Sequence, residues 1–584
     1  MTPTASAVPT APVLIEPPER PGVAVPDGPA FSGRMERVHP TDSAELRKAR
    51  GAFFTPAAVA RFIVAWAIRD VDDAILEPSC GEAVFLREAG RLGGHRGRLV
   101  GVELHERSAE SAARSLRADG IDADILVGDF FGHEEFGAYD AVIGNPPYVR
   151  FHDFSGAARN SARTAALRGG VALSRLASSW AAFTVHAALH VKRGGRLGLV
   201  LPAELLSVNY AAGVRRFLLD HFATVSLVLF EERIFPGVQE EVVLVLAEGF
   251  DADGARGTDT IELTQVRRVA DLADLPAVRQ WSPTDASAKW SGALMSQRGL
   301  EAFTGALGHA AFCDLEEWGD TTLGMVTGNN KYFTLTPAEV ADLGLVGSDV
   351  LRISPPGSRH LRTLALTDED LERLGDADRA TYLFRPAGQP SRAAERYIRI
   401  GADAGVPTAY KCRVRTPWWR VPLVRPADLF LTYMNADAPR LVTNTAGVRH
   451  LNSVHGVYLR EGHAAIGRDL LPIASLNSLT MLGAETVGRA YGGGLLKVEP
   501  READRLPVPS PRLLGAHAST LARLRPDVTA LLRAGRPAAA VDLVDAVILR
   551  DGLDMTEPDL AAIRAELREL STRRRKRGKD AVGG

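Results

Sequence analysis

The sequence predicts an α/β protein: a mostly parallel, Rossmann-like sheet in the N-terminal part, then a mixed α+β half that ends in helices. Three observations predict it. Short apolar runs alternate with amphipathic stretches between residues 56 and 247, the pattern of βαβ units. That alternation stops near residue 255, and short strand-like runs separated by Gly, Pro and Asp continue to about 510. From 511 to 571, in VDLVDAVILRDGL and EPDLAAIRAELREL, apolar residues recur at helical spacing. The expected division is a Pro/Ala-rich segment without fixed structure over 1–44, an α/β domain over 45–255, a mixed domain over 256–510 and a helical segment with a basic tail over 511–584.

Each element has its own reason. Val59, Phe62, Ile63 and Trp66 fall on one face of a helix over 56–70, with Thr55 placed to cap it and Pro56 at its first position. Strands are expected at 74–76, 98–104, 123–127, 138–143, 196–201, 225–230 and 241–247. Helices are expected at 83–89, 108–118 and 178–190, with Gly195 breaking the chain after the last.

Composition narrows the class. With 584 residues, 46% hydrophobic and 24% charged, the chain is not disordered throughout. Sixty-nine basic against 71 acidic residues exclude a protein basic all over, but leave local basic patches. Cys80, Cys313 and Cys412 lie too far apart for a disulfide framework or a four-cysteine zinc site, and no metal is expected. The start lacks a basic region followed by an apolar run, and no stretch reaches the ~20 apolar residues of a membrane span. A cytoplasmic, nucleoid-associated monomer is expected.

Ligands of an open α/β sheet bind at the C-terminal ends of its strands. The first strand ends in EPSCG, carrying Glu77 and Gly81. The second ends at Glu103, 22 residues after Gly81, a spacing that suits an acceptor for ribose hydroxyls. The third ends in Asp129-Phe130, an acceptor for an adenine amino group beside an aromatic ring. Only one glycine of a G-x-G-x-x-G turn is present, and Ala83 stands where a second would fall, so a dinucleotide is disfavoured and an adenosine ligand favoured. The fourth strand ends Asn145-Pro146-Pro147-Tyr148. Two prolines force the chain out of the sheet and stiffen the exit. The Asn145 amide oxygen and the Pro146 carbonyl then form two fixed acceptors for a planar NH2 group, with Tyr148 as a face for a ring. Gripping both hydrogens turns a delocalised amine into a nucleophile by orientation and electrostatics.

EPSCGEAVFL, VGVELHERS, LVGDFF and VIGNPPYVRF, in that order, resemble the cofactor and catalytic motifs of the amino-group DNA methyltransferases. FFTP at 53–56 resembles that family's N-terminal cofactor motif, and the order is that of the gamma class, the adenine-N6 enzymes similar to the TaqI methylase. The resemblance implies a class I methyltransferase sheet over 45–255 and S-adenosylmethionine as methyl donor. It places Thr55 and Glu77 beside the donor's amino-acid part, Glu103 at its ribose, and Asp129 and Phe130 at its adenine, with Gly81 also among the cofactor-binding residues. Asn145, also within reach of the donor, would hold the target N6 with Pro146, between Tyr148 and Phe235 of RIFPGVQEE, and Pro147 belongs to the same catalytic run. The C-terminal half then becomes a target-recognition domain for double-stranded DNA, because a base inside a duplex must be rotated out to reach such a pocket.

Two stretches there suit DNA. VTGNNKYF carries Asn329, Asn330 and Lys331. KCRVRTPWWRVPLVR interleaves Arg413, Arg415 and Arg420 with Trp418 and Trp419. Arg and Asn read base edges, and cations neutralise phosphate. Asn444, Asn452 and His455 form a further polar run, and YGGGLLK at 491–497 resembles segments of target-recognition regions. The basic tail Arg573, Arg574, Arg575, Lys576, Arg577 and Lys579 is expected to be solvated or to meet phosphates. The leading reading is a site-specific adenine-N6 methyltransferase of a restriction–modification or phage-defence system, with room for a separately encoded endonuclease as second partner. The alternatives are methyl transfer to RNA or to a protein glutamine, and a specificity subunit with an inactive core.

Overall fold

The computed structural model describes residues 55–579, apart from 150–155, 175, 176, 233, 235–240, 256, 284–286, 288 and 309. Phe53, Phe54, Phe235 and the segment 1–44 lie outside the described residues.

Nine strands form the first sheet: β1 (Ile75–Pro78), β2 (Leu99–Glu103), β3 (Asp124–Val127), β4 (Tyr139–Gly144), β5 (Val191–Pro202), β6 (Thr224–Phe230), β7 (Val242–Glu248), β8 (Ile261–Val266) and β9 (Arg279–Trp281). Their order is β3-β2-β1-β4-β5-β7-β6-β8-β9. The first five are mutually parallel, and β7 runs antiparallel to β5 and β6. β1 and β2 are buried along their whole length, which is why they read as unbroken apolar runs. The helix Ala57–Ala67 buries Val59, Ala60, Ile63, Val64 and Ala67, the face its periodicity predicts.

Four expectations change. Pro56, not Thr55, is the N-cap of that first helix and offers it no side-chain bond; the Thr55 hydroxyl is engaged elsewhere. Gly195 lies inside β5 rather than breaking the chain, and a Cβ there would come within 2.7 Å of the Asp140 carbonyl oxygen. The helix Gly156–Arg168 was not expected, since it buries only Ala162, Ala165 and Ala166 and has no apolar stripe. The expected boundary at 255 cuts through one sheet: β8 pairs with β6, and Trp281, Trp290 and Ala293 belong to the same core as β1–β7.

In the C-terminal half, Gly319–Leu323, Val454–Leu459, Leu429–Thr432, Leu441–Asn444 and Ala365–Leu366 form a five-stranded sheet in that order. Leu513, Leu514, Ile548, Leu560 and Ile563 of the terminal helices share one core with Leu429, Leu431 and Val457 of that sheet. The helical segment is therefore built into the domain instead of trailing from it. Arg574, expected in a solvated or phosphate-binding tail, is 3% exposed. Its guanidinium donates to the Glu485 carboxylate at 2.7 and 2.9 Å, to the Asp437 carbonyl at 2.9 Å and to the Gly494 carbonyl.

Candidate active site

Parallel register brings the C-terminal ends of β1–β4 to one edge: Pro78 lies opposite Val102, and Glu103 opposite Val127. The turn after β1 follows from its residues. Ser79, Gly81 and Ala83 take φ values of 58°, 54° and 55°. At Gly81 no atom lies within 4 Å of where a Cβ would be, so the turn opens toward free space there. Ala83 keeps the left-handed conformation a glycine would adopt freely, at a cost of roughly 1–2 kcal/mol.

Carboxylates hold this turn. Glu103 Oε2 accepts from the Gly81 amide at 2.9 Å and Oε1 from the His105 amide at 2.9 Å. The 22-residue spacing seen in the sequence is thus a direct bond between two strand ends. Glu77 Oε2 accepts from the Leu86 amide at 3.0 Å, and burial pushes the Glu77 carboxyl up to about 8. Asp129 Oδ1 accepts from the Phe131 amide at 3.1 Å and caps the short turn that follows β3. Leu104, next to Glu103, is 60% exposed, an apolar surface at this edge that sequence reasoning passed over.

Phe130 stands differently from its expected place beside an adenine ring. It is 3% exposed, with the rings of Phe183, His186 and His190 centred 5.4, 4.8 and 5.2 Å away, so it packs in the core behind the edge.

The diproline corner leaves β4 on the same edge. Asn145 Nδ2 donates to Thr55 Oγ1 at 3.1 Å. The Tyr148 hydroxyl lies 2.7 Å from Asn145 Oδ1 and 2.9 Å from the Val200 carbonyl oxygen on β5. Tyr148 is 8% exposed, so little of the stacking face expected of it is open here. Pro146 is buried and Pro147 half-buried. Ser179, which the sequence did not single out, pins the exit: its hydroxyl donates to the Pro147 carbonyl and accepts from the Val149 amide at 2.9 Å. A serine at a helix start gives no sign of its partner 30 residues earlier.

The two candidate DNA-binding stretches meet. Arg415 donates to the Val326 and Thr327 carbonyls, the latter at 2.7 Å, and Cys412 Sγ lies 3.6 Å from the same Thr327 oxygen. These bonds tie Arg415 to the VTGNNKYF stretch. Asn329 caps the turn Asn330–Phe333, and Asn330 Oδ1 accepts from the Thr327 hydroxyl at 2.5 Å. Trp419 is buried, and Trp418 packs against Tyr332 at 5.6 Å. Asn444 is consumed by backbone bonds to Ala427 and Val448, and the buried His455 by the Val498 carbonyl. Lys331, Arg413 and Arg420 are exposed, as are Lys411, Arg425, Tyr410 and Val414 around them. Among the described residues no cluster suits a metal ion, and no helix is long and apolar enough to cross a membrane.

The order β3-β2-β1-β4-β5-β7-β6 with an antiparallel β7 and acids at successive strand ends is that of a class I methyltransferase, with S-adenosylmethionine as its cofactor. Residues 41–262 match the model of the family described as N-6 DNA Methylase, and 287–549 that described as the C-terminal domain of the type II methyltransferase M.Eco57I. The type II methyltransferase M.XamI of Xanthomonas campestris pv. amaranthicola is 28% identical over 79% of this chain and 85% of its own. M.AccI of Acinetobacter calcoaceticus is 22% identical over 79% of this chain and 86% of its own. A solved structure described as a DrdV–DNA complex aligns over 74% of this chain and 54% of that one, at 14% identity and a TM-score of 0.45. These family models and type II relatives, matching successive parts of the chain, support a DNA N6-methyltransferase of a restriction–modification system.

Proposed function

We propose that the protein methylates the N6 atom of adenine at a specific site in duplex DNA, acting on a base rotated out of the helix. The observation that carries this is the corner at Asn145–Tyr148, on the same sheet edge as Glu77, Glu103 and Asp129. Glu103, Asp129, Glu77 and the open side of the Gly81 turn would hold S-adenosylmethionine; the Glu103 and Asp129 carboxylates suit hydroxyl and amino donors, and the open side of Gly81 lets the ligand approach the backbone. Bound there, the cofactor supplies a methyl group on a positively charged sulfur.

The chain's own contribution is orientation. Asn145 Oδ1 and the Pro146 carbonyl accept the two N6 hydrogens, which draws the nitrogen out of conjugation and aims its lone pair. Pro146 and Pro147 hold that spacing without a side-chain hinge, and Ser179 fixes where the corner ends. Phe235 is assigned to the opposite face of the flipped base on the strength of the motif alone. Lys331, Arg413 and Arg420 would neutralise phosphates, the Arg420 guanidinium lying over the Trp419 ring at 5.4 Å. A separately encoded endonuclease that cuts the same unmodified site would complete the system. Sequencing that reads methylated bases, on DNA from cells expressing the chain, tests the proposal: N6-methyladenine at one recurring motif is expected. Methylated cytosine N4, or no modified base, would overturn it.

A further inference from the structure

Asn145 helps only if its oxygen, not its NH2 group, faces the target amine. A carboxamide is nearly symmetric in shape, so something must set its direction. In this structure Thr55 Oγ1 lies at its nitrogen end and Tyr148 Oη at its oxygen end. Tyr148 Oη also lies within bonding distance of the Val200 carbonyl oxygen. A phenol carries one proton, and both the Asn145 Oδ1 and the Val200 oxygen are acceptors. The proton therefore serves one of them at a time, and turning the O–H about its C–O bond moves it to the other.

We propose that Thr55 and the Tyr148 hydroxyl are positioning residues that hold the Asn145 carboxamide in its accepting direction, with Tyr148 as a placeholder for the target amine. In the resting site Tyr148 donates to Asn145 Oδ1. When the target arrives, its N6–H takes Oδ1 and the phenol turns to the Val200 carbonyl. One hydrogen bond replaces another, so the half-buried oxygen is never left bare. No bond to hydrogen is broken and no proton leaves Tyr148. Thr55 holds Nδ2 throughout, which stops the amide from turning its NH2 toward the target. Val200 suits the second role because it sits on β5, beside β4, where the buried strand fixes its carbonyl. This rests on the adenine-N6 reading and gives the tyrosine a task that a phenylalanine, with the same ring, cannot perform.

The test uses the full chain, S-adenosylmethionine and unmodified genomic DNA, with enzyme in excess so that one turnover is followed. Asn145→Ala comes first: if it transfers methyl groups at the wild-type rate, the adenine-N6 reading fails before this one is reached. With Asn145→Ala silent, Tyr148→Phe and Thr55→Val are each expected to slow transfer roughly tenfold, one hydrogen bond's worth. Thr55→Ser should restore the rate. The cofactor dissociation constant, read by calorimetry, should stay within about threefold in Tyr148→Phe, which also reports that this variant folds; Thr55→Val is judged by its rate at saturating cofactor. Because both act through one amide, the double variant should lose less than the product of the single losses. Wild-type rates in both single variants would overturn the inference, as would losses that multiply, or a loss in Tyr148→Phe matched by weakened cofactor binding.

Discussion

Replacing Glu103 with Gln isolates what the strand-end acid contributes. The carboxylate accepts two backbone N–H groups at 2.9 Å each, one from the turn after β1 and one from the residue after Leu104. Gln has almost the same shape but a single acceptor oxygen. Whichever way it turns, its NH2 group faces either the Gly81 or the His105 amide, donor against donor. One bond to a charged acceptor is lost, about 1.5–3 kcal/mol, at a side chain only 6% exposed. At ~1.4 kcal/mol per factor of ten, cofactor binding should weaken at least about tenfold. Calorimetric titration with S-adenosylmethionine measures that directly, and a urea melt followed by Trp fluorescence should show an earlier transition. An affinity within twofold of wild type and an unmoved melt would refute the reasoning that this carboxylate ties the cofactor turn to β2.

Three further outcomes are expected. Burial pushes the Glu77 carboxyl up to about 8, against about 4.5 for a free glutamate, so the folded chain holds a proton that the unfolded chain has released; stability from this group is full below about 4.5 and is lost as pH rises through 8, and Glu77→Gln should flatten that slope in urea melts at a series of pH values. Arg574→Met leaves Glu485, itself 5% exposed, without its partner, and should cost about 3–5 kcal/mol in the C-terminal half, whereas Arg574→Met with Glu485→Leu should recover most of it. Arg413→Gln and Arg420→Gln together should weaken DNA binding and reduce the steepness of its salt dependence by about two phosphate contacts, read from binding curves at several salt concentrations.

The sheet edge was legible because its chemistry is local. A glycine turn, strand-end acids and a diproline exit each announce a C-terminal strand end, and one spacing, Gly81 to Glu103, is a bond in the structure. What was not legible depends on distant partners. β9 is three residues long and gains its place only by pairing with β8 at the sheet's rim. Arg574 reads as one more charge in a basic run; its burial is set by Glu485, 89 residues earlier. Arg415 and Asn444 look like base readers, since the same donors that read DNA also satisfy backbone carbonyls. Phe130 follows the adenine-site motif, yet burial among Phe183, His186 and His190 claims its ring.

The most direct test of the account compares Asn145→Ala with wild type in a single turnover on DNA, with cofactor and DNA affinities measured alongside. The account predicts transfer slowed by at least about 10²–10³-fold at saturating cofactor while DNA affinity holds within about threefold. Transfer within tenfold of wild type would contradict it, because the two-acceptor grip on the target amine would then be unnecessary for methylation.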